Sequence, residues 1–160
     1  MSDSIASEKV IKTIAECELH QKRITHALIK LKQFMPLTPQ GFSNLNDEQI
    51  GAIDQYLFRF SKLQDAIGQR LFPNVLAVLE EPVKTLSFFD RLNRLEQLNI
   101  IENKEQWLNL RNMRNMLAHE YEDDPKSMSE VLNLVYASYG MLADIFLRVK
   151  TYIENKIATI

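Results

Sequence analysis

Apolar residues in the first part of the chain, with one glutamine among them, recur at alternating steps of four and three. An α-helix turns once in about 3.6 residues, so this spacing puts the whole series on one face of a helix. The series is Val10, Ile14, Cys17, Gln21, Ile24, Leu28, Leu31 and Met35. It predicts one long amphipathic helix, which Pro36 and Pro39 bring to an end.

A second stripe with the same spacing follows the prolines. Asn46 is a good N-cap residue, and Gln49 lies three positions later, which is the arrangement of a capping box. We therefore expect a helix that begins after Asn46 and ends near Pro73, with a short extension over 75–79. The apolar positions of this helix are Ile50, Ile53, Leu57, Phe60, Leu63, Ile67 and Leu71.

Two shorter helices are predicted next. Ser87 with Asp90 resembles a cap for a brief third helix, and Asn103 with Gln106 repeats the capping pattern and opens a fourth. Their apolar positions are Leu92, Leu95 and Leu98 in the third helix and Trp107, Leu110, Met113 and Leu117 in the fourth.

The last predicted helix follows an acidic turn over 122–125. Asp124 is expected as its N-cap and Pro125 as its first helical residue. Its stripe is Val131, Val135, Leu142, Ile145, Val149, Tyr152 and Ile153. Five helices joined by short connections predict an all-α, up-and-down bundle that forms a single domain over 1–160.

Composition limits the cellular setting. Cys17 is the only cysteine, so an internal disulfide framework is excluded, and residues 1–7 have neither a basic segment nor an apolar one of the kind found in signal peptides. No uninterrupted apolar run approaches the roughly 20 residues that a membrane span needs. We expect a soluble, cytoplasmic protein without a membrane partner.

The charge distribution limits the kind of nucleic-acid site. A formal net charge of −2 argues against a domain that clamps nucleic acid over a wide basic face, so any RNA site must be local. We expect no DNA partner. Four arginines nevertheless fall in one quarter of the chain: Arg91, Arg94, Arg111 and Arg114. This cluster fits a phosphate-binding surface and a solvated helix face about equally well.

Side chains suited to a catalytic site lie at the predicted end of the fourth helix, in the run Arg-Asn-Met-Leu-Ala-His-Glu-Tyr over 114–121. Arg114 is a permanent planar cation that can place two hydrogen bonds on a phosphate, and His119 has the side chain that titrates nearest neutrality. Residues five apart on a regular helix point about 140° away from each other. Arg114 and His119 can therefore act at one site only if the last helical turn is frayed or if the long arginine side chain extends toward the histidine. Arg114 and Tyr121 share a face, and Arg111, Asn115 and His119 form another row.

The spacing Arg-x-x-x-x-His-x-Tyr, with a polar residue after the arginine, resembles the signature of HEPN-domain ribonucleases, in particular the toxin of HEPN/MNT toxin–antitoxin pairs. The resemblance implies a helical bundle in which Arg114 and His119 are the catalytic pair. Asn115 would be the polar residue after the arginine, and Tyr121 an accessory residue. It also implies a homodimer whose two motifs face each other, and chemistry without a metal or another cofactor.

The stretch 59–68 also resembles a second-helix segment of this family. Asp65 and Arg59 would then line the cleft and orient Arg114 or His119, although solvated helix positions account for both residues as well. Gly68 would let another helix approach closely. Cys17 and His20 lie three apart, but two ligands do not make a zinc site.

The resemblance implies a metal-independent endoribonuclease toxin that cleaves RNA, with tRNA as the expected substrate. In HEPN/MNT pairs a nucleotidyltransferase antitoxin attaches AMP to the motif tyrosine, which is Tyr121 here. The alternative is a non-catalytic helical subunit that binds a partner nucleotidyltransferase, and a third possibility is a structural dimerisation module. Any one motif residue alone also fits a structural role, such as a helix cap or a half-buried aromatic.

Overall fold

The computed structural model describes residues 2–119 and 124–159 of the chain, with side chains over 5–117 and 124–159. The elements of this part are all helical. They are α1 (Ser2–Leu31), α2 (Pro39–Ser43), α3 (Asp47–Asp65), a π-helical turn (Ala66–Leu71), α4 (Phe72–Val78), a 3₁₀ turn (Val83–Thr85), α5 (Phe88–Gln97), α6 (Lys104–His119), α7 (Pro125–Ala137) and α8 (Tyr139–Ala158).

The helices pack around one apolar core. The α1 helix lies along α3, the π turn and α4, while α7 packs against α2 and α6. Large side chains that are fully buried come from α1, α3, α4 and α8, among them Ile24, Tyr56, Phe72 and Phe146. The predicted all-α bundle is confirmed, and its five helices correspond to α1, α3 with α4, α5, α6, and α7 with α8.

Three predicted helix starts have the predicted caps. Asn46 and Gln49 form a reciprocal capping box, with N···O distances of 2.8 and 3.0 Å. Ser87 Oγ accepts from the backbone N–H of Asp90, and Asp124 accepts from that of Ser127, with a proline in the first turn of α7. The cap of α6 differs in detail, because Asn103 accepts from the N–H of Glu105 at 2.7 Å, one residue before Gln106.

Pro73 does not end the second predicted helix. The chain passes from α3 through the π turn into α4 without a loop, and Phe72 N–H donates to the carbonyl of Ile67, five residues back. A proline lacks an N–H and crowds the carbonyl four residues earlier. The wider π turn places Pro73 in the first turn of α4, where neither property is harmful.

The last predicted helix is interrupted once. Ser138 separates α7 from α8, and its hydroxyl bonds the carbonyl of Leu134 at 2.6 Å and the sulfur of Met113 at 3.0 Å. By length and composition the stretch Pro125–Ala158 could cross a membrane, with a mean hydropathy of 1.2 in its most apolar part. The bundle buries 39% of that most apolar part, and residues such as Val135, Phe146 and Val149 lie in the core. This is consistent with a soluble protein.

Candidate functional site

A cleft of about 380 Å³ opens between α3 with its π turn, the start of α5, and α6. Its walls carry two arginines, a carboxylate, three side-chain amides, two aromatic rings and a glycine. The lining residues are Gln64, Asp65, Gly68, Gln69, Phe88, Trp107, Arg111, Arg114 and Asn115. Two residues of the sequence motif, Arg114 and Asn115, are therefore part of one wall.

Arg114 is held by Asp65 from the opposite wall. The two terminal guanidinium nitrogens each contact one carboxylate oxygen, and the Nη2···Oδ2 distance is 3.1 Å. A two-point contact of this kind fixes the plane of the guanidinium group as well as its position. The Arg114 side chain is still 41% exposed, so a ligand in the cleft can reach it.

Arg111 lies beside Arg114 on α6 and is stacked on aromatic rings. Its guanidinium carbon lies 4.4 Å from the ring centroid of Phe88 and 6.0 Å from that of Phe89. A cation over an aromatic face is attracted by the ring quadrupole, which restricts the motion of a long side chain. The cleft thus carries two ordered cations on one wall.

Trp107 forms the base of that wall and is in close contact with the π turn. A Cβ atom at Gly68 would lie 2.8 Å from Cζ2 of the Trp107 ring, so only a glycine permits this approach. The ring is 3% exposed and packs edge-on against Phe72, with a centroid distance of 4.8 Å. The close approach that the sequence suggests for Gly68 is therefore present, and it shapes the cleft.

Gln64, next to Asp65 on α3, is a buried polar residue of the cleft lining. Its side chain is 3% exposed, and its Oε1 atom has no hydrogen-bond partner in the part of the chain that the structure describes. Buried polar atoms are nearly always paired, so an unpaired one costs free energy in the folded chain. Sequence reasoning missed this residue, because Gln64 is a polar side chain outside the apolar stripe predicted for this helix.

Comparison of the chain with family models, curated proteins and solved structures found no match. The chemistry open to the cleft is therefore inferred from its own residues. A fixed guanidinium beside a second cation suits an anion such as phosphate.

The structure separates the other predicted residues. Arg59 does not line the cleft, since its Nη1 atom bonds Nδ1 of His20 at 3.1 Å on the side of α3 that faces α1. Within the arginine cluster, Arg94 pairs with Glu81, and Arg91 donates to the carbonyl of Val83 at 3.0 Å. Both arginines contact the segment before α5. Of the four arginines in the cluster, Arg111 and Arg114 are the two that line the cleft.

Two motif residues cannot be placed in the cleft. His119 is the last residue of α6, and its side chain lies outside the described residues, as does the whole of Tyr121. The proposed fraying of the last helical turn falls on the same segment. The backbone of α6 does put position 119 one turn beyond Asn115, in the row that begins at Arg111.

Titratable groups away from the cleft form a separate cluster between α1 and the helices packed on it. Burial lowers the pKa of His20, and the neighbouring Arg59 cation lowers it further against the opposing effect of Glu16. Burial also raises the pKa of the Cys17 thiol to about 12. Over the described ranges, no group of three or more His, Cys, Asp or Glu side chains could hold a metal ion.

Proposed function

We propose that this chain is a metal-independent endoribonuclease of the HEPN type, acting as the toxin of a toxin–antitoxin pair. The observation that carries the proposal is the Arg114 guanidinium, which Asp65 fixes at an open cleft beside Arg111 and Asn115. An ordered bidentate cation is what stabilisation of a phosphate transition state requires.

Cleavage of RNA by internal attack needs three contributions. A base removes the proton of the 2′-hydroxyl, a cation stabilises the charge that builds on the phosphate oxygens, and an acid protonates the leaving 5′-oxygen. Arg114 suits the second role, and His119 suits one of the two proton transfers. No metal is needed for these steps.

A homodimer would supply the remaining proton transfer. Each chain contributes one histidine through its motif. His20 lies far from the motif in the sequence, and it is buried in contact with Arg59. Two motifs that face each other would bring a second His119 to the same phosphate. A protein that is monomeric at micromolar concentration and still cleaves RNA would contradict this part of the proposal.

Control by a nucleotidyltransferase antitoxin completes the proposal. AMP attached to Tyr121 would add negative charge and bulk near Arg114 and compete for its hydrogen bonds. Incubation of the two proteins with ATP should add multiples of the AMP mass to the peptide that contains Tyr121, and Tyr121→Phe should accept none. Inhibition without ATP would instead indicate that the partner covers the cleft directly.

The central experiment compares wild type with Arg114→Ala and His119→Ala in an RNA cleavage assay that contains EDTA. Wild type should cleave, and each variant should lose on the order of 100-fold or more in rate, the usual cost of removing a transition-state donor. Arg94→Ala is the matched control, since it removes an arginine with a similar ion pair outside the cleft. Activity that needs a metal, or that survives both substitutions, refutes the proposal.

The alternative is a non-catalytic subunit which binds a nucleotidyltransferase, and the Asp65–Arg114 pair is compatible with it. Asp65 already engages both terminal nitrogens of Arg114, as a purely structural ion pair would. A stable complex with the transferase, together with absent cleavage of total cellular RNA by wild type, would select this function. If the same complex forms and RNA cleavage returns when the transferase dissociates, the chain is the toxin.

A further inference from the structure

The two arginines of the cleft are held by partners on different helices. Arg114 pairs with Asp65 of α3, whereas Arg111 stacks on Phe88 at the start of α5. On α6 the two arginines are three positions apart, a spacing that puts Cβ atoms about 5–6 Å from each other. Because their partners lie on different walls of the cleft, the guanidinium groups are held at two separate points.

Arg111 has donors to offer to a ligand. Its side chain is exposed, and no carboxylate in the part of the chain that the structure describes pairs with it. The contact with the Phe88 ring, at 4.4 Å from the ring centroid, restricts the guanidinium without neutralising its charge. An ordered guanidinium with open N–H donors is suited to a two-point contact with a phosphate.

A strand of RNA brings more than one phosphate to such a cleft. Every nucleotide of the strand carries one negative charge, so the phosphate that is cleaved always has charged neighbours within the strand. Two cations at separate points along one helix match this repeated charge better than they match a single phosphate. The arrangement thus gives Arg111 a ligand of its own.

We propose that Arg111 binds the phosphate next to the one that Arg114 holds, so that the cleft takes two neighbouring phosphates of one RNA strand. The proposal rests on the proposed ribonuclease function, in which the phosphate on Arg114 is the one cleaved. Phe88 is a positioning residue, because it acts on the strand only through Arg111. The neighbouring phosphate keeps its charge during the reaction, so Arg111 contributes equally to binding of substrate and transition state.

The test measures binding of strands that cannot be cleaved, so that it does not depend on catalysis. Five-nucleotide 2′-O-methyl strands with a fluorescent end label lack the attacking hydroxyl, and uncharged methylphosphonate linkages replace chosen phosphates. An adjacent-pair strand keeps the two middle phosphates, a separated-pair strand keeps the two outer ones, and a single-charge strand keeps one. Phosphate contacts carry no sequence information, so one base sequence serves for all three strands.

The adjacent-pair strand should bind about tenfold more tightly than the separated-pair strand, although the two carry the same charge. This factor is what one hydrogen-bonded contact between charged groups typically adds to affinity. Fluorescence anisotropy at one salt concentration measures it, because affinities for phosphates depend strongly on salt.

Arg111→Ala should bind both paired strands at the level of the single-charge strand. Arg111→Lys keeps the charge but loses the planar fork, so it should retain part of the preference. Arg94→Ala is the matched control, since it removes an arginine of the same cluster outside the cleft and should leave the tenfold preference unchanged. Phe88→Leu should reduce the preference about threefold, and Phe88→Tyr, which keeps a ring face for the guanidinium, should restore it.

Cleavage kinetics give a readout that a merely structural role would not move. Arg111→Ala should raise the KM for RNA about tenfold and leave kcat unchanged, the result expected when a contact is equally strong in substrate and transition state. Arg114→Ala should instead lower kcat, because its phosphate gains charge in the transition state.

The outcomes separate this proposal from the ribonuclease proposal. An adjacent-pair preference that Arg111→Ala abolishes, without RNA cleavage by wild type, would keep the two-phosphate site and refute the nuclease. Metal-independent cleavage together with equal binding of the two paired strands, or with no binding of any strand, would refute the two-phosphate site alone. An equal loss for all three strands in Arg111→Ala would show that both arginines hold one phosphate. Displacement of the adjacent-pair strand by inorganic pyrophosphate at a similar concentration would indicate a diphosphate ligand and overturn the strand.

Discussion

Asp65 on α3 and Arg114 on α6 both line the cleft and form a two-point ion pair with each other, although they lie forty-nine residues apart in the chain. The pair joins the element that carries the π turn to the element that carries the motif. Its two parallel contacts set the direction of the guanidinium plane, which a single contact would leave free to rotate. The orientation of Arg114 is therefore set by a contact within the chain itself.

Asp65→Asn should lower the rate of RNA cleavage about tenfold, since a misplaced catalytic group costs rate even when its charge remains. The amide keeps the size of the side chain but offers only one acceptor to the guanidinium. The free energy of unfolding should change by no more than about 1 kcal/mol, because both partners are partly exposed. Single-turnover cleavage and urea denaturation measure the two effects.

Glu81→Gln is the control for this prediction, because it removes the negative charge from the partner of Arg94, in an ion pair that lies outside the cleft. It should leave the cleavage rate unchanged. A faster rate in Asp65→Asn would show the opposite role, in which Asp65 competes with phosphate for Arg114.

Gly68→Ala should destabilise the fold by about 1 to 3 kcal/mol, the usual cost of an added methyl group in a tightly packed site. The new Cβ atom would meet the Trp107 ring at 2.8 Å, where both the ring and the π turn are fixed by their neighbours. Chemical denaturation measures the loss, and the fluorescence maximum of Trp107 reports whether the ring moves.

Gly51→Ala gives the matched comparison on α3, because a Cβ atom there has nothing within 4 Å. This variant should gain about 0.5 to 1 kcal/mol from the reduced freedom of the unfolded chain. Equal effects of the two alanines would show that Trp107 does not restrict the Gly68 position.

Helix positions and caps were predictable because they depend on neighbours within one or two turns. The capping box at Asn46 and the cap at Ser87 both form as the sequence indicates. The passage of the helix through Pro73 was not predictable, since it depends on a π turn that no local spacing reveals. The interruption at Ser138 likewise involves a contact with Met113, twenty-five residues away.

The site was predictable only in part, for a similar reason. The family resemblance predicts both Asp65 and Arg59 at the cleft, but residues six apart on a helix point about 120° from each other. Asp65 therefore meets α6, while Arg59 meets His20 of α1. The burial of Gln64 at the cleft follows from how three elements pack, and no local spacing indicates it, because Gln64 is not part of the apolar stripe.

Asn133→Ala should lower the free energy of unfolding by about 2 kcal/mol, because it leaves two backbone groups without their partner. Asn133 on α7 accepts from the N–H of Leu37 at 2.6 Å and donates to its carbonyl at 2.8 Å. The pair of bonds ties the segment before α2 to α7. Glu130→Ala, an exposed change one turn earlier on α7, should stay within about 0.5 kcal/mol of wild type.

The last prediction concerns acid stability and the buried His20. Its Nδ1 atom accepts from Arg59, so the ring must be neutral, and protonation would set an N–H group against a guanidinium. Burial is the largest cause of its lowered pKa, and Arg59, Arg70 and Lys62 lower it further, while Glu16 raises it. The unfolded chain therefore takes up this proton at a higher pH than the folded chain does.

Because the folded pKa of His20 lies below 6.5, its contribution to stability is present above that pH and falls as the solution is acidified through it. His20→Gln keeps an acceptor for Arg59 without a titration in this range, so the difference in free energy of unfolding between pH 7.5 and pH 5.5 should shrink. His26→Gln, an exposed histidine on the same helix, serves as the control and should retain the wild-type difference. Urea denaturation at the two pH values measures it, and a difference unchanged in His20→Gln would mean that another group governs the acid response.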